Sequence, residues 1–196
     1  ERERQCSDNV AQRKGSKEIR RTHSKVSSEE RREQELEKAL TSAVEKGNIT
    51  GALTALLQGA NIESRNKDGL APLHIAVQKN NFVISCFLIH NHHPISSRTK
   101  DGLERTPLHL AVVAGLPVMS GWLFKKGAKL TLKDSEDKMA VDLGVENQHA
   151  NCVTLLRLAQ LVEEEESEAQ EAFLIAFESF RKEDEMRGKQ KMKLSS

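Results

Sequence analysis

The 196-residue chain has no tyrosine, one Trp and six Phe, so its apolar load falls on Leu, Val, Ala and Ile. A nucleic-acid-binding module concentrates basic charge on one element with aromatic residues between, and this chain does neither. Cysteine is scarce: Cys6, Cys86 and Cys152 are odd in number, far apart and without a C-x-x-C pair. That argues against a disulfide framework and for a reducing, cytoplasmic compartment. No run of about 18 apolar residues exists, so no direct membrane insertion is expected. The opening ERERQ lacks the apolar core of a secretory signal. The chain starts with Glu rather than Met, and a fragment of a longer protein is expected. Also missing are a Walker loop, G-x-G-x-x-G, G-x-S-x-G, H-E-x-x-H and the protein-kinase signatures. The acidic run Glu163–Glu166 is a solvated helix face rather than a catalytic pair. No catalytic residue and no cofactor-binding residue is assigned, and no enzyme is expected in this chain.

Net charge is only +1, but it is unevenly laid out. Residues 1–33 carry ten Lys/Arg against seven Asp/Glu, and residues 163–196 carry six against ten. The first 34 residues are polar, lack apolar periodicity and read as a disordered linker. From Glu35 the chain changes character. NKDGLAPLHIAV (Asn66–Val77) and KDGLERTPLHLAV (Lys100–Val112) read almost alike, and the second carries two extra residues within GLERTP. DSEDKMAVDLGV (Asp134–Val145) is a weaker copy, and LTSAVEKGN around Ala43 is weaker still. Thr106 suits a helix N-cap with Pro107 at the first helical position, whereas Ala71 ahead of Pro72 forgoes the cap. Asp-Gly at 68–69 and 101–102 supplies tight turns.

A period of about 33 residues opened by T-P-L-H-x-A resembles the ankyrin repeat. Thr106, Pro107, Leu108, His109 and Ala111 match it, as do Pro72, Leu73, His74 and Ala76. The resemblance implies an all-α ankyrin-repeat solenoid of about four repeats, the first and last degenerate, over roughly 35–65, 66–98, 99–132 and 133–162. It also implies that His74 and His109 are structural and bond backbone in the adjoining turns. Such a stack is a protein-binding platform. The partner-binding candidates are the charged residues of the connecting fingers: Arg65, Lys67, Asp68, Arg98, Lys100, Asp101, Lys133 and Asp134.

The stretch CFLIHNHHP raises a metal reading, with Cys86, His90, His92 and His93 as candidate ligands and a zinc-responsive protein as its consequence. The register assigns them otherwise. His92-His93 fall where the neighbouring copies have Gly59-Ala60 and Gly127-Ala128, just past a helix end, and Cys86 falls on a helix among residues that pack between repeats. Scaffold is the favoured reading.

Stacked repeats need end caps. The first is expected around Glu35–Glu45, with Leu36, Leu40 and Val44 on one face. At the other end Phe173, Phe177 and Phe180, spaced i, i+4, i+7, form the stripe of an amphipathic helix within 163–182. That helix is expected to fold back as a cap rather than to detach, with residues 183–196 a disordered tail. The run Val153-Thr154-Leu155-Leu156-Arg157-Leu158-Ala159, supported by Phe177, Phe180 and LFKKGAKLTLKDSE (Leu123–Glu136), resembles the end of centaurin-beta (ACAP-type) Arf GTPase-activating proteins. That resemblance implies a parent with BAR, pleckstrin-homology and zinc-finger GAP domains, and protein partners in the Arf pathway or among cargo. It also implies a place at endosomal membranes. The GAP zinc ligands and catalytic arginine have no counterpart in this chain.

Overall fold

The computed structural model describes residues 29–163 and 167–194; the linker expected over residues 1–28 lies outside them. Among the described residues there are nine helices and no strands, and one isolated bridge joins Lys133 to Met139. In chain order they are α1 (29–45), α2 (Ile49–Leu57), α3 (Pro72–Gln78), α4 (Phe82–His90), α5 (Pro107–Val113), α6 (Pro117–Lys125), α7 (Ala140–Glu146), α8 (Ala150–Glu163) and α9 (Ser167–Leu194). The first eight form four antiparallel pairs. Their inner members α3, α5 and α7 pack in a row, with α4, α6 and α8 behind them. This is the expected all-α solenoid.

Local chemistry explains the helix starts. Thr106 Oγ1 caps α5 by accepting from His109 N, and Pro107 fills a position whose N–H would be unsatisfied in any case. Ala71 offers α3 no such side-chain bond. Asn48 and Asn81 cap α2 and α4 through their side-chain oxygens, at 3.0 and 3.1 Å from Gly51 N and Ile84 N. The turns between inner and outer helices place Gly47, Asn80, Gly115 and Gln148 in the left-handed region. Turns of this kind reverse the chain while satisfying the last helical carbonyls.

Each inner helix is tied to its neighbour by one buried side chain. His74 Nδ1 accepts from Ala71 N (3.2 Å) while Nε2 donates to Ser97 O (3.0 Å). His109 repeats the pattern with Thr106 N and Lys138 O, both 3.2 Å. In the degenerate last repeat, Asp142 Oδ2 takes over the local half of the role by accepting from Met139 N at 2.9 Å. The core between the pairs is aliphatic, led by Leu73, Ala76, Ile84, Leu88, Leu108, Ala111, Leu123 and Leu155.

Three expectations are corrected. The helical structure begins at residue 29 rather than 35, through a run of Glu, Arg, Gln and Lys that are all good helix formers. The tail expected to be without structure from 183 continues α9 to Leu194, for the same reason. Finally, the Phe helix is docked, with Phe173 and Phe177 only 3% and 7% exposed, but it does not close the end of the stack. It packs on the outer helices α8 and α6. Val145, whose equivalents Val77 and Val112 are fully buried by the following repeat, stays 54% exposed. No helix among the described residues is long and apolar enough to cross a membrane.

The caps give a paired prediction. Thr106→Ala should lower the unfolding free energy by about 1 kcal/mol, and Ala71→Thr should raise it by a similar amount. Urea denaturation of both variants checks it.

Candidate protein-binding surface

Three fingers project between the helix pairs, each closed by one polar side chain that gathers backbone N–H groups. In the first, Asn66 Oδ1 accepts from Asp68 N (3.0 Å) and Leu70 N (2.9 Å). In the second, Asp101 Oδ1 accepts from Leu103 N (2.9 Å) and from the Thr99 hydroxyl (2.7 Å). In the third, Asp134 Oδ1 accepts from Glu136 N (2.9 Å) and Lys138 N (3.1 Å). The fingers lie side by side through backbone bonds: Lys100 N donates to Gly69 O (2.9 Å) and Ser135 N to Leu103 O (3.0 Å). Gly69 is required there, because a Cβ would stand 2.5 Å from the Lys100 carbonyl carbon.

The eight finger candidates divide sharply. Lys67, Asp68, Lys100 and Asp101 are exposed at the adjoining tips of the first two fingers. Arg65 is half-buried, and its positive charge helps disfavour protonation of His74 and His93. Arg98 is turned toward the third finger, where Nη1 donates to Lys133 O (2.8 Å) and meets Glu104 Oε2 (3.2 Å). Lys133 is exposed but paired with Asp137 at 2.9 Å.

Asp134 is a correction. It is buried, sits 3.6 Å from Arg105 Nε and has no surface to offer a partner. Helix α5 begins 35 residues after α3, not 33, because of the Glu104-Arg105 insertion. Counting 33 residues on from Asp101 therefore lands on the buried turn-former that matches Asn66; the tip position that matches Asp101 is Glu136. Burial would raise the Asp134 carboxyl, but bonds from Lys138 N and Glu136 N, with His109 and Arg105 nearby, hold it below its usual value. Asp101 is likewise held low: partial desolvation opposes this, and the Thr99 and Leu103 bonds outweigh it. The residues missed in the sequence are Glu104, exposed with φ +51°, and Arg105. The only signal for them was the two-residue excess in GLERTP.

The histidine cluster does not converge. Cys86 and His90 are exposed on the outward face of α4, which corrects the expectation that Cys86 packs between repeats. Gly121 and Thr154, its counterparts on α6 and α8, also face away from the stack, so the position never lay in the inter-repeat core. His92 occupies the left-handed cap position with φ +65°, matching Gly59 and Gly127. His93 turns inward beside it, 3% exposed, its Nδ1 donating to Pro94 O (3.0 Å). Among the described residues no group of three or more His, Cys, Asp or Glu side chains gathers to hold a metal ion.

With this geometry in place, comparison with known proteins identifies the repeat. The family model for ankyrin repeats (three copies) matches residues 40–134. Mouse B-cell lymphoma 3 protein homolog is 36% identical over 94 residues, which is 46% of this chain and 21% of that protein. Mouse Rabankyrin-5 is 33% identical over 94 residues, 43% of this chain and 8% of that protein. Human Rabankyrin-5 is 43% identical over 58 residues, covering 30% and 5%. The chain thus spans about a fifth or less of these relatives. The helix pairs are ankyrin repeats, which indicate a protein–protein interaction module.

Three buried histidines make the stack sensitive to acid. Burial lowers His74 and His93 to about 4 and lowers His109 in the same direction. Each is neutral in the fold and binds a proton more readily when unfolded. Their stabilisation is therefore complete above about pH 6.5 and is lost as pH falls toward 4. Urea midpoints should be flat between pH 8 and 7 and fall steadily between pH 6.5 and 4.5.

Proposed function

We propose that this chain is the ankyrin tail of an Arf GTPase-activating protein. In this reading it serves endosomal membrane traffic from the cytoplasmic side and binds a protein partner through the tips of its first two fingers. The observation that carries the binding surface is the exposed, side-by-side placement of Lys67, Asp68, Lys100 and Asp101 on backbone-linked fingers. Ionic contacts at such exposed positions contribute up to about 1 kcal/mol each. Selectivity then comes from matching several carboxylates and cations to a fixed spacing. Partners from the Arf pathway or among membrane cargo fit this reading. GTPase-activating chemistry would belong to a zinc-finger domain outside this chain.

The narrower family reading rests on the Val153–Ala159 run and on the Phe-bearing helix behind it. Those residues lie beyond residue 134, where the ankyrin match stops, and the names of the matched relatives do not supply it. That same observation favours a second reading, a stand-alone ankyrin adaptor or inhibitor with no catalytic parent.

Intact mass of the native protein, with peptide sequencing upstream of Glu1, separates the two readings. A much larger product with C-x-x-C pairs ahead of this segment supports the GAP tail; a product near 21.9 kDa removes it. For the surface itself, Lys67→Glu with Lys100→Glu should weaken a captured partner at least about tenfold, or ~1.4 kcal/mol, with the melting temperature unchanged. Asp134→Ala should lower the melting temperature instead, because it strips two backbone N–H groups and Arg105 of their acceptor.

A further inference from the structure

The placement of α9 is not explained by capping. The surface a cap would cover, around Val145, is left open, while α9 lies on the convex back over α6 and α8. That back does not need covering for the stack to form: on the first two repeats Leu57 and Val83 remain 79% and 62% exposed on it.

The site beneath α9 is nevertheless shaped for a helix. Outer helices begin at residues 49, 82, 117 and 150, so Leu53, Cys86, Gly121 and Thr154 hold equivalent outward positions. Leu53, Cys86 and Thr154 are exposed, whereas Gly121 is buried under Phe177. A Cβ at Gly121 would stand 2.6 Å from Phe177 Cδ2 and 2.7 Å from Leu155 Cδ2. Phe173 meets Phe124 edge-on at 5.2 Å, and Lys125 Nζ lies 4.1 Å from the centre of the Phe177 ring. The notch thus receives two aromatic rings four residues apart, with a cation over one of them.

The contact is confined to the first half of the helix. Ala169, Phe173 and Phe177 are buried, but no described side chain from Arg181 onward is. There an open groove of about 1060 Å³ separates α9 from the starts of α4, α6 and α8, lined by Phe82, Leu116, Pro117 and Phe180. A helix held by half its length, with free space under the rest, is placed to be peeled off from its C-terminal end.

We infer that the Gly121 notch and the groove beside it form an exchangeable helix-docking site. Helix α9 fills it in cis, and a partner protein's helix bearing two aromatic side chains at i, i+4 displaces it. The resident helix shows which chemistry fits. The site lies on the convex back and is independent of the finger tips, so loss of one reading leaves the other standing.

The probe is a fluorescently labelled synthetic peptide spanning 167–194, read by anisotropy against the full chain. A chain carrying Phe173→Ala and Phe177→Ala should bind it at least about tenfold more tightly than the unaltered chain, since the resident competitor is weakened. Adding Gly121→Leu should abolish that gain. No binding to the loosened chain, or binding that ignores Gly121→Leu, overturns the inference. Hydrogen exchange of the unaltered chain tests it without a variant. Amides over 170–180 should exchange faster than those of α5 and α6 and faster still with excess peptide. Exchange in step with α5 and α6 overturns it. A concentration-dependent dimer that Gly121→Leu dissolves would overturn it in favour of a second copy as occupant.

Discussion

A single imidazole, bonded at both nitrogens, sets the spacing of this stack. His74 holds the first turn of its own helix through Ala71 N and reaches Ser97 O in the loop leading to the next finger; His109 does the same toward Lys138 O. Both rings sit where water cannot replace a lost bond, so the tautomer with hydrogen on Nε2 is enforced by its two partners. Inner helices, fingers and outer helices then follow at fixed offsets. The last repeat lacks the histidine, and Asp142 reproduces only the bond within its own helix turn. The rearward half of the device is therefore missing where no further repeat follows.

The fingers depend on that spacing and depart from it at one place. The Glu104-Arg105 insertion lengthens the second finger, puts Glu104 in a left-handed conformation and brings Arg105 to the buried carboxylate of Asp134. With Arg98 reaching Lys133 O, the second and third fingers become cross-braced by side chains. The first and second fingers meet chiefly through the Lys100–Gly69 backbone bond. Rigidity therefore rises along the row, and free charge falls. The tips of the first two fingers keep cations and carboxylates available, and those of the second and third spend theirs on each other.

The convex face shows a different economy of packing. Burying two phenylalanines contributes roughly 2 kcal/mol each, enough to hold α9 against the repeats, yet the chain leaves Val145 in water at the end of the array. Helix α9 reaches the back of the stack because Gly121 removes one side chain from a row otherwise filled.

Much of this was legible from residue order alone. The period, the Pro-Leu-His openings and the Asn and Gly positions at the turns rest on local backbone chemistry, which acts within a few residues and so survives in a linear reading. The left-handed role of His92 was legible for the same reason. What only the tertiary structure decided involves distance in sequence. Asp134 is buried because an insertion some thirty residues earlier shifts the register. Cys86 and Gly121 share a position but differ in exposure because only one of them meets α9. The Phe stripe announced that a face would be buried; which surface it would cover depended on where a glycine had left room, and no periodicity encodes that.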